Sequence, residues 1–322
     1  MRLRLKDFKT RGKGIQHLAI LLMLLLIGPA AQAWGDITPT DVYYLAKSVD
    51  DSLASVYELS SELTKKRISN SLRPRNVYQK ALSVADEFNF LHPNALDSLK
   101  LSEARNVDMT RTGPSDVHSV LSLIEKYLLS KGTFTANFET RSTKTPNDVF
   151  QMLRQVSMHH HEIARKKGLT TDWAKPKRVY EAVVTNILPV TQNLAAKEKV
   201  AHKSFEFPKQ AVSGVIPRYV YKLLYHMYQN LSDYYMNKGG YDPIILEQVN
   251  DCDKISPEDV FDMTLILAAE LKARGGKKSL RRETAARYKS WKEGKEKIVP
   301  GDVFRLIQHN FILSKKILEN ES

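Results

Sequence analysis

One cysteine, Cys252, stands in the 322 residues of this chain. An intramolecular disulfide is excluded, so stability has to come from an apolar core that a chain of this length can bury. The thiol reads as a buried small hydrophobe or, flanked by Asp251 and Asp253, as an exposed group, and not as a nucleophile. Reactive signatures are missing as well. There is no Gly-x-Ser-x-Gly, no phosphate-cradling glycine loop, no dinucleotide fingerprint, no His pair four residues apart, no Glu-x-x-His and no Cys-x-x-Cys. Without a spaced constellation the chain reads as non-enzymatic, with no cofactor and no metal. Strand patterns are almost absent, and the brief alternation over residues 133–138 falls in a connection.

Long apolar runs are scarce too. The one that stands out, Leu18 to Ile27, is shorter than the roughly 20 residues a membrane helix needs. Six basic residues (Arg2, Arg4, Lys6, Lys9, Arg11 and Lys13) precede it and Ala31-Gln32-Ala33 follows, which is the pattern of an export signal cut after Ala33. The other reading of 1–33 is an uncleaved N-terminal anchor. Export predicts a mature chain from Trp34, periplasmic or secreted.

What the chain has in abundance is one recurring phrase: a proline, a valine three residues on, and then an aromatic residue or, once, His118. Copies begin at Pro39, Pro74, Pro114, Pro146, Pro176, Pro217, Pro257 and Pro300, spaced by 30 to 43 residues. Proline suits the first position of a helix because its missing N–H would be unpaired there and its φ is already helical. Thr38, Thr145 and Ser256 supply caps with Asp41, Asp148 and Asp259 at the third position, and Gly113 with Asp116 is a weaker version.

Apolar residues then follow at spacings of four and three, as in Val42, Ala46, Val49 and Leu53, or Val77, Ala81, Val84 and Phe88. The spacing predicts an all-α fold of eight long, nearly antiparallel helices. They would form two consecutive four-helix bundles, 34–168 and 169–322, or one array of stacked hairpins. Pro189 interrupts the fifth helix, and Thr264, Asn310 and Ser314 place polar groups in later seams.

The net charge of +13 is localised. Residues 1–33 carry +5 and residues 272–297 carry +8, so the rest is balanced. In the second segment Ser279 is expected to cap a short helix with Leu280, Thr284, Tyr288 and Trp291 on one face. A basic helix with an aromatic face suits an anionic membrane surface or an acidic envelope protein. Lys277, Lys278, Arg281, Arg282, Arg287, Lys289 and Lys292 would supply charge while Tyr288 and Trp291 insert or stack. The bland alternative is a solvated helix packing those aromatics on the bundle end. Nucleic acid is disfavoured as a partner, since zinc-finger spacing, RNA-binding aromatics and helix-turn-helix cues are missing.

Two further groups stand out. Tyr221, Tyr225 and Tyr228 form a stripe that could line a small-molecule pocket or simply be core. His159-His160-His161-Glu162 resembles a ligand set, but neighbours on a helix point about 100° apart, so convergence on one ion is disfavoured. His160 falls on the apolar seam and is expected half-buried between two exposed histidines. The sequence therefore reads as an exported, non-enzymatic interaction or sensing module, with a small-molecule binding protein as the alternative.

Overall fold

The computed structural model describes residues 36–59, 68–134, 141–171, 173, 175–250, 252–275 and 279–320. The signal pattern of 1–33, the alternation at 135–138, Lys277 and Lys278 lie outside the described residues. Thr38–Ser322 forms a single compact unit. Among the described residues it is all-α: ten helices, no strand, and one isolated bridge between Ser69 and Leu246.

In chain order these are α1 (Pro39–Tyr57), α2 (Pro74–Leu91), α3 (Ser98–Ala104), α4 (Pro114–Ser130), α5 (Pro146–Lys166), α6 (Pro176–Ala182, a π turn at Val183–Ile187, then Leu188–Lys197), α7 (Pro217–Asn237), α8 (Pro257–Gly275), α9 (Arg282–Glu293) and α10 (Pro300–Glu319). Every repeat proline opens a helix. The expected count of eight is two short, because α3 and α9 form within connections.

The capping chemistry is wider than the hydroxyl-bearing phrases suggest. In six of the eight, the amide before the proline donates to the side chain at the third helical position: Thr38 to Asp41 at 3.0 Å, Arg73 to Asn76 at 2.8 Å, Gly113 to Asp116 at 2.7 Å, Thr145 to Asp148 at 2.8 Å, Ser256 to Asp259 at 2.8 Å and Val299 to Asp302 at 3.0 Å. This half of the capping box needs only an acceptor three residues into the helix. α6 and α7 carry Arg178 and Tyr219 there instead.

The side chains three, seven, ten and fourteen residues after each proline are buried in all these helices but α6, from Val42, Ala46, Val49 and Leu53 in α1 to Val303, Ile307, Asn310 and Ser314 in α10. Polar members of the stripe bond locally or to a neighbour. Thr264 Oγ1 donates to Val260 O at 2.8 Å, Thr191 Oγ1 to Asn310 Oδ1 at 2.5 Å, and Asn230 Nδ2 to Ser314 Oγ at 3.1 Å.

In α6 Asn186, at the tenth position, is only half-buried, and the stripe from Val179 and Val183 continues through buried Ile187, Thr191 and Leu194, each one residue late. The π turn absorbs the extra residue just before Pro189, which has no N–H to return to Thr185.

α1 packs against α4 and α5, and α2 packs against the same two; likewise α6 and α7 each pack against α8 and α10. The expected antiparallel arrangement is overturned within both foursomes. Pro39, Pro74, Pro114 and Pro146, with Val42, Val77, Val117 and Val149, surround one small apolar space of about 10 Å³, so four first turns meet at one end. At the other end Lys166 Nζ donates to Tyr57 O at 2.9 Å, and Phe88 packs on both Tyr127 and His160. In the second foursome Arg178 lies over the Phe261 ring near the starts, and Tyr234 and Asn320 both bond to Glu198 at the far ends. The rods of a foursome therefore run parallel and in register.

Between the foursomes the direction reverses: on α2 and α8, Arg75 pairs with Glu270 and Lys80 with Asp262. That reversal explains why the link 167–175 is short while connections such as 198–216 and 238–256 are long enough to return along a rod of about 30 Å. No helix among the described residues is long and apolar enough to cross a membrane.

Deleting Thr185 from the π turn moves Ile187, Thr191 and Leu194 onto the ten, fourteen and seventeen positions of the repeat. The variant is expected to keep its helix content and a cooperative thermal transition. Deleting Ser119 from α4 instead rotates Leu121, Ile124 and Leu128 by about 100°. That variant is expected to lose cooperativity, and circular dichroism melts of the pair check both outcomes.

Candidate functional site

The basic segment forms α9 between the end of α8 and the start of α10. Its first helical residue is Arg282, preceded by Arg281 in an extended conformation with no side-chain cap bond, so Ser279 is not the cap. Thr284 is buried, and Tyr288 and Trp291 are partly buried. Trp291 stacks on Tyr180 at 4.9 Å between ring centroids and Tyr288 on the same ring at 6.0 Å; Phe207 packs against both. Trp291 Nε1–H donates to Pro208 O at 2.8 Å. Burial and the nearby Glu181 charge push the Tyr288 hydroxyl up to about 12. The aromatic face is thus turned towards the body of the protein.

Charge is left on the other side. Arg281, Arg282 and Lys289 are exposed, Arg287 is partly covered, and Lys292 pairs with Glu181 at 2.6 Å. Below α9, where the starts of α6 and α10 approach each other, a cleft of about 720 Å³ is lined by Lys175, Lys177, Lys292, Lys295 and Lys297, one acid, Glu296, and the apolar groups of Pro176, Ile298, Val299 and Pro300.

The three tyrosines of the stripe differ in burial. Tyr221 and Tyr228 are buried, while Tyr225 is partly exposed and accepts from Gln229 Nε2 at 3.1 Å. The Tyr228 hydroxyl accepts from Ile244 N–H at 2.8 Å and meets Tyr241 at 3.0 Å. Burial pushes the Tyr221 and Tyr228 hydroxyls up. The histidine string also departs from expectation. His160 is fully buried, because the fourth layer of the first foursome is closed by Phe88 and Tyr127, and His159 is nearly so. The three imidazoles face three neighbourhoods: His159 Nδ1 lies 2.8 Å from Asp50, His160 Nδ1 lies 3.4 Å from Glu87, and His161 stacks on Trp173. Cys252 is exposed.

Sequence reasoning missed the densest polar cluster, the seam where α2 and α5 meet α6 and α8. Arg75 Nε and Nη2 fork onto Glu270 at 2.7 and 2.8 Å, with Asn76 adding 3.0 Å. Lys80 pairs with Asp262 at 2.8 Å. Arg154 reaches Asp259 at 2.6 Å and Asp262 at 2.8 Å. Arg178 reaches Glu87 at 2.7 Å and Ser83 at 2.6 Å, and Ser157 donates to Glu87 at 2.7 Å. Four cations thus meet four carboxylates.

Burial alone would push the Glu87 carboxyl up, but the His160 hydrogen bond and the Arg178 and Lys80 charges outweigh it and hold it well below the usual range. One signal could have found the seam. α8 is buried on every side from Asp259 to Leu271, and acids in a helix apolar all round need partners.

Set beside protein-family models, curated proteins and solved structures, the chain finds no match in any of the three.

Glu87→Gln leaves Arg178 without its counter-charge in a buried place. The expected loss is about 3–5 kcal/mol of unfolding free energy at neutral pH. A carboxyl held low in the folded state contributes fully above its ordinary value of 4.5, and that contribution fades as pH falls below it. Urea titrations of both proteins should therefore show the deficit of the variant shrinking below that pH.

Proposed function

We propose that this protein is an exported, non-enzymatic interaction module, two consecutive four-helix bundles in architecture, that docks on an anionic envelope surface through the basic segment 272–297. The observation that supports this reading is the orientation of α9: its rings are spent on Tyr180 and Phe207 while Arg281, Arg282 and Lys289 are turned outward. A fixed helix presents its charges from one backbone geometry and loses little backbone freedom on contact.

Because Tyr288 and Trp291 are engaged with the body, docking relies on charge and not on aromatic insertion. It should therefore weaken with salt, as exposed charges are screened over about 8–10 Å at ordinary ionic strength. Export and cleavage after Ala33 belong to the same proposal and rest on the sequence pattern of residues 1–33. The alternative, a small-molecule site at Tyr221, Tyr225 and Tyr228, draws no support from the Tyr228 hydroxyl, which bonds to Ile244 and Tyr241 within the fold.

Co-sedimentation with phosphatidylglycerol vesicles tests the docking face. Each basic residue beside an anionic bilayer contributes about 1 kcal/mol, so reversing Arg281, Arg282 and Lys289 to Glu should weaken binding by roughly a hundredfold or more. Unchanged binding by that variant, or binding by the parent that ignores added salt, rejects the proposal. The parallel variant Trp291→Ala should lower thermal stability, since it frees α9 from Tyr180.

A further inference from the structure

We propose that the end of the molecule where α1, α2, α4 and α5 finish enters the headgroup region of an anionic bilayer, with Val56, Leu129 and Leu169 as the inserting side chains. This deepens the docking proposal, on which it rests in taking an anionic bilayer as the partner, and adds which end of the rods faces it. Exposed apolar side chains gather there. Of the ten large ones among the described residues, six lie at this end. Val56, Phe90 and Leu129 stand in the last turns of α1, α2 and α4, and Leu169 follows α5. Ile216 caps the start of α7 and Tyr219 sits in its first turn. Those starts share the end because the second foursome is reversed: Arg178, two residues after Pro176, meets Glu87, thirteen residues after Pro74, at 2.7 Å. Two lie at the opposite end, Met236 in the last turn of α7 and Ile245, whose amide donates to Ser71 Oγ before the start of α2.

The position of Val56 shows why this end is open. It continues the stripe of α1 at seventeen residues after the proline, where Leu91, Ile163 and Ile317 are buried in α2, α5 and α10. α4, which packs against α1, stops at Ser130, sixteen residues after its own proline. A core-type side chain is therefore left without a rod to cover it among the described residues. Leu129, in the last turn of that shorter rod, is 58 % exposed. Removing such surface from water is favourable wherever an apolar medium is on offer.

Charge selects a bilayer as the cover. In the described last turns and C-caps of these four rods the bases are Lys131, Arg165, Lys166 and Lys167, all exposed, and the one acid is Glu58. Glu162, one turn back, reaches Lys166 at 3.8 Å. Lys166 also donates to Tyr57 O and Glu58 O, and Lys167 to Leu91 O; these carbonyls are neutral and leave the charge in place. Long basic side chains around aliphatic ones suit the boundary between acyl chains and anionic headgroups. α9 is anchored at this end too, through Trp291 on Tyr180, four residues after Pro176. A second copy set end to end would instead bring the bases of the two molecules against one another.

The test is spin-label accessibility on the full chain carrying Cys252→Ser. A nitroxide on Leu129→Cys is compared with one on Ile245→Cys, a residue 68 % exposed at the opposite end. On phosphatidylglycerol vesicles the first label is expected to lose its collisions with a water-soluble nickel chelate severalfold and to gain collisions with oxygen, while the second keeps both. Val56→Ser/Leu129→Ser/Leu169→Ser should weaken co-sedimentation with the same vesicles about tenfold or more, with the thermal transition unchanged, because each exposed side chain loses its transfer from water.

The two readings fail separately. If the serine variant sediments like the parent while reversal of Arg281, Arg282 and Lys289 weakens binding, the α9 face stands and insertion is rejected. If the serine variant is weakened and the reversal changes nothing, insertion stands and the α9 face is rejected. Equal shielding of both labels, or of neither, overturns the proposal. So does shielding of the Leu129→Cys label when the protein is concentrated without vesicles, which makes a second copy the occupant.

Discussion

Four helices that begin at the same end impose the constraint on which the rest of this fold depends. Their peptide dipoles add, so each foursome gathers about half a positive charge per rod at one end and the opposite at the other. Asp41, Asp116 and Asp148 sit in the first turns of the first foursome, where they satisfy an orphan amide and oppose that build-up. The second foursome is reversed beside the first, which lays unlike ends together. Starting at one end also obliges the chain to come back outside the rods after each helix. The repeat period is therefore a rod plus its return, and the one short link, 167–175, falls where no return is needed.

The seam between the foursomes works differently from the cores. Val, Leu and Ile in register give stability that varies smoothly with packing, but they would tolerate a neighbour shifted by one turn. Arg75 with Glu270, Lys80 with Asp262 and Arg154 with Asp259 and Asp262 do not tolerate it, because a shift strands charges where water cannot reach them. Such pairs add little net free energy over an apolar contact; what they contribute is one allowed alignment.

Much of the fold was legible in the sequence because helix starts are written locally. A proline, in six of the eight an acceptor two residues on, and a stripe at three, seven, ten and fourteen identify the rods and their buried edges without knowledge of their neighbours. Direction is not written there. A cap says where a helix begins and nothing about which way the next one runs, and only the length of the connections carried that information. His160 lay on the stripe and was still expected half-buried, since the residues that close its layer, Phe88 and Tyr127, come from other helices. The seam was invisible for a related reason: its charges cancel, so composition shows a balanced middle of the chain. The basic segment was visible as charge, but the side on which Trp291 would lie depends on Tyr180 and Phe207, far away in sequence.

The seam has a polarity of its own. The first foursome contributes Arg75, Lys80 and Arg154, the second contributes Glu270, Asp262 and Asp259, and the Glu87–Arg178 pair alone runs the other way. Each half of the molecule is thus a plug for the other and a poor match for itself. Two molecules meeting through opened seams could trade halves and satisfy every charge, whereas like halves would bring ammonium against guanidinium. The contacts that join the halves thus favour the unlike pairing.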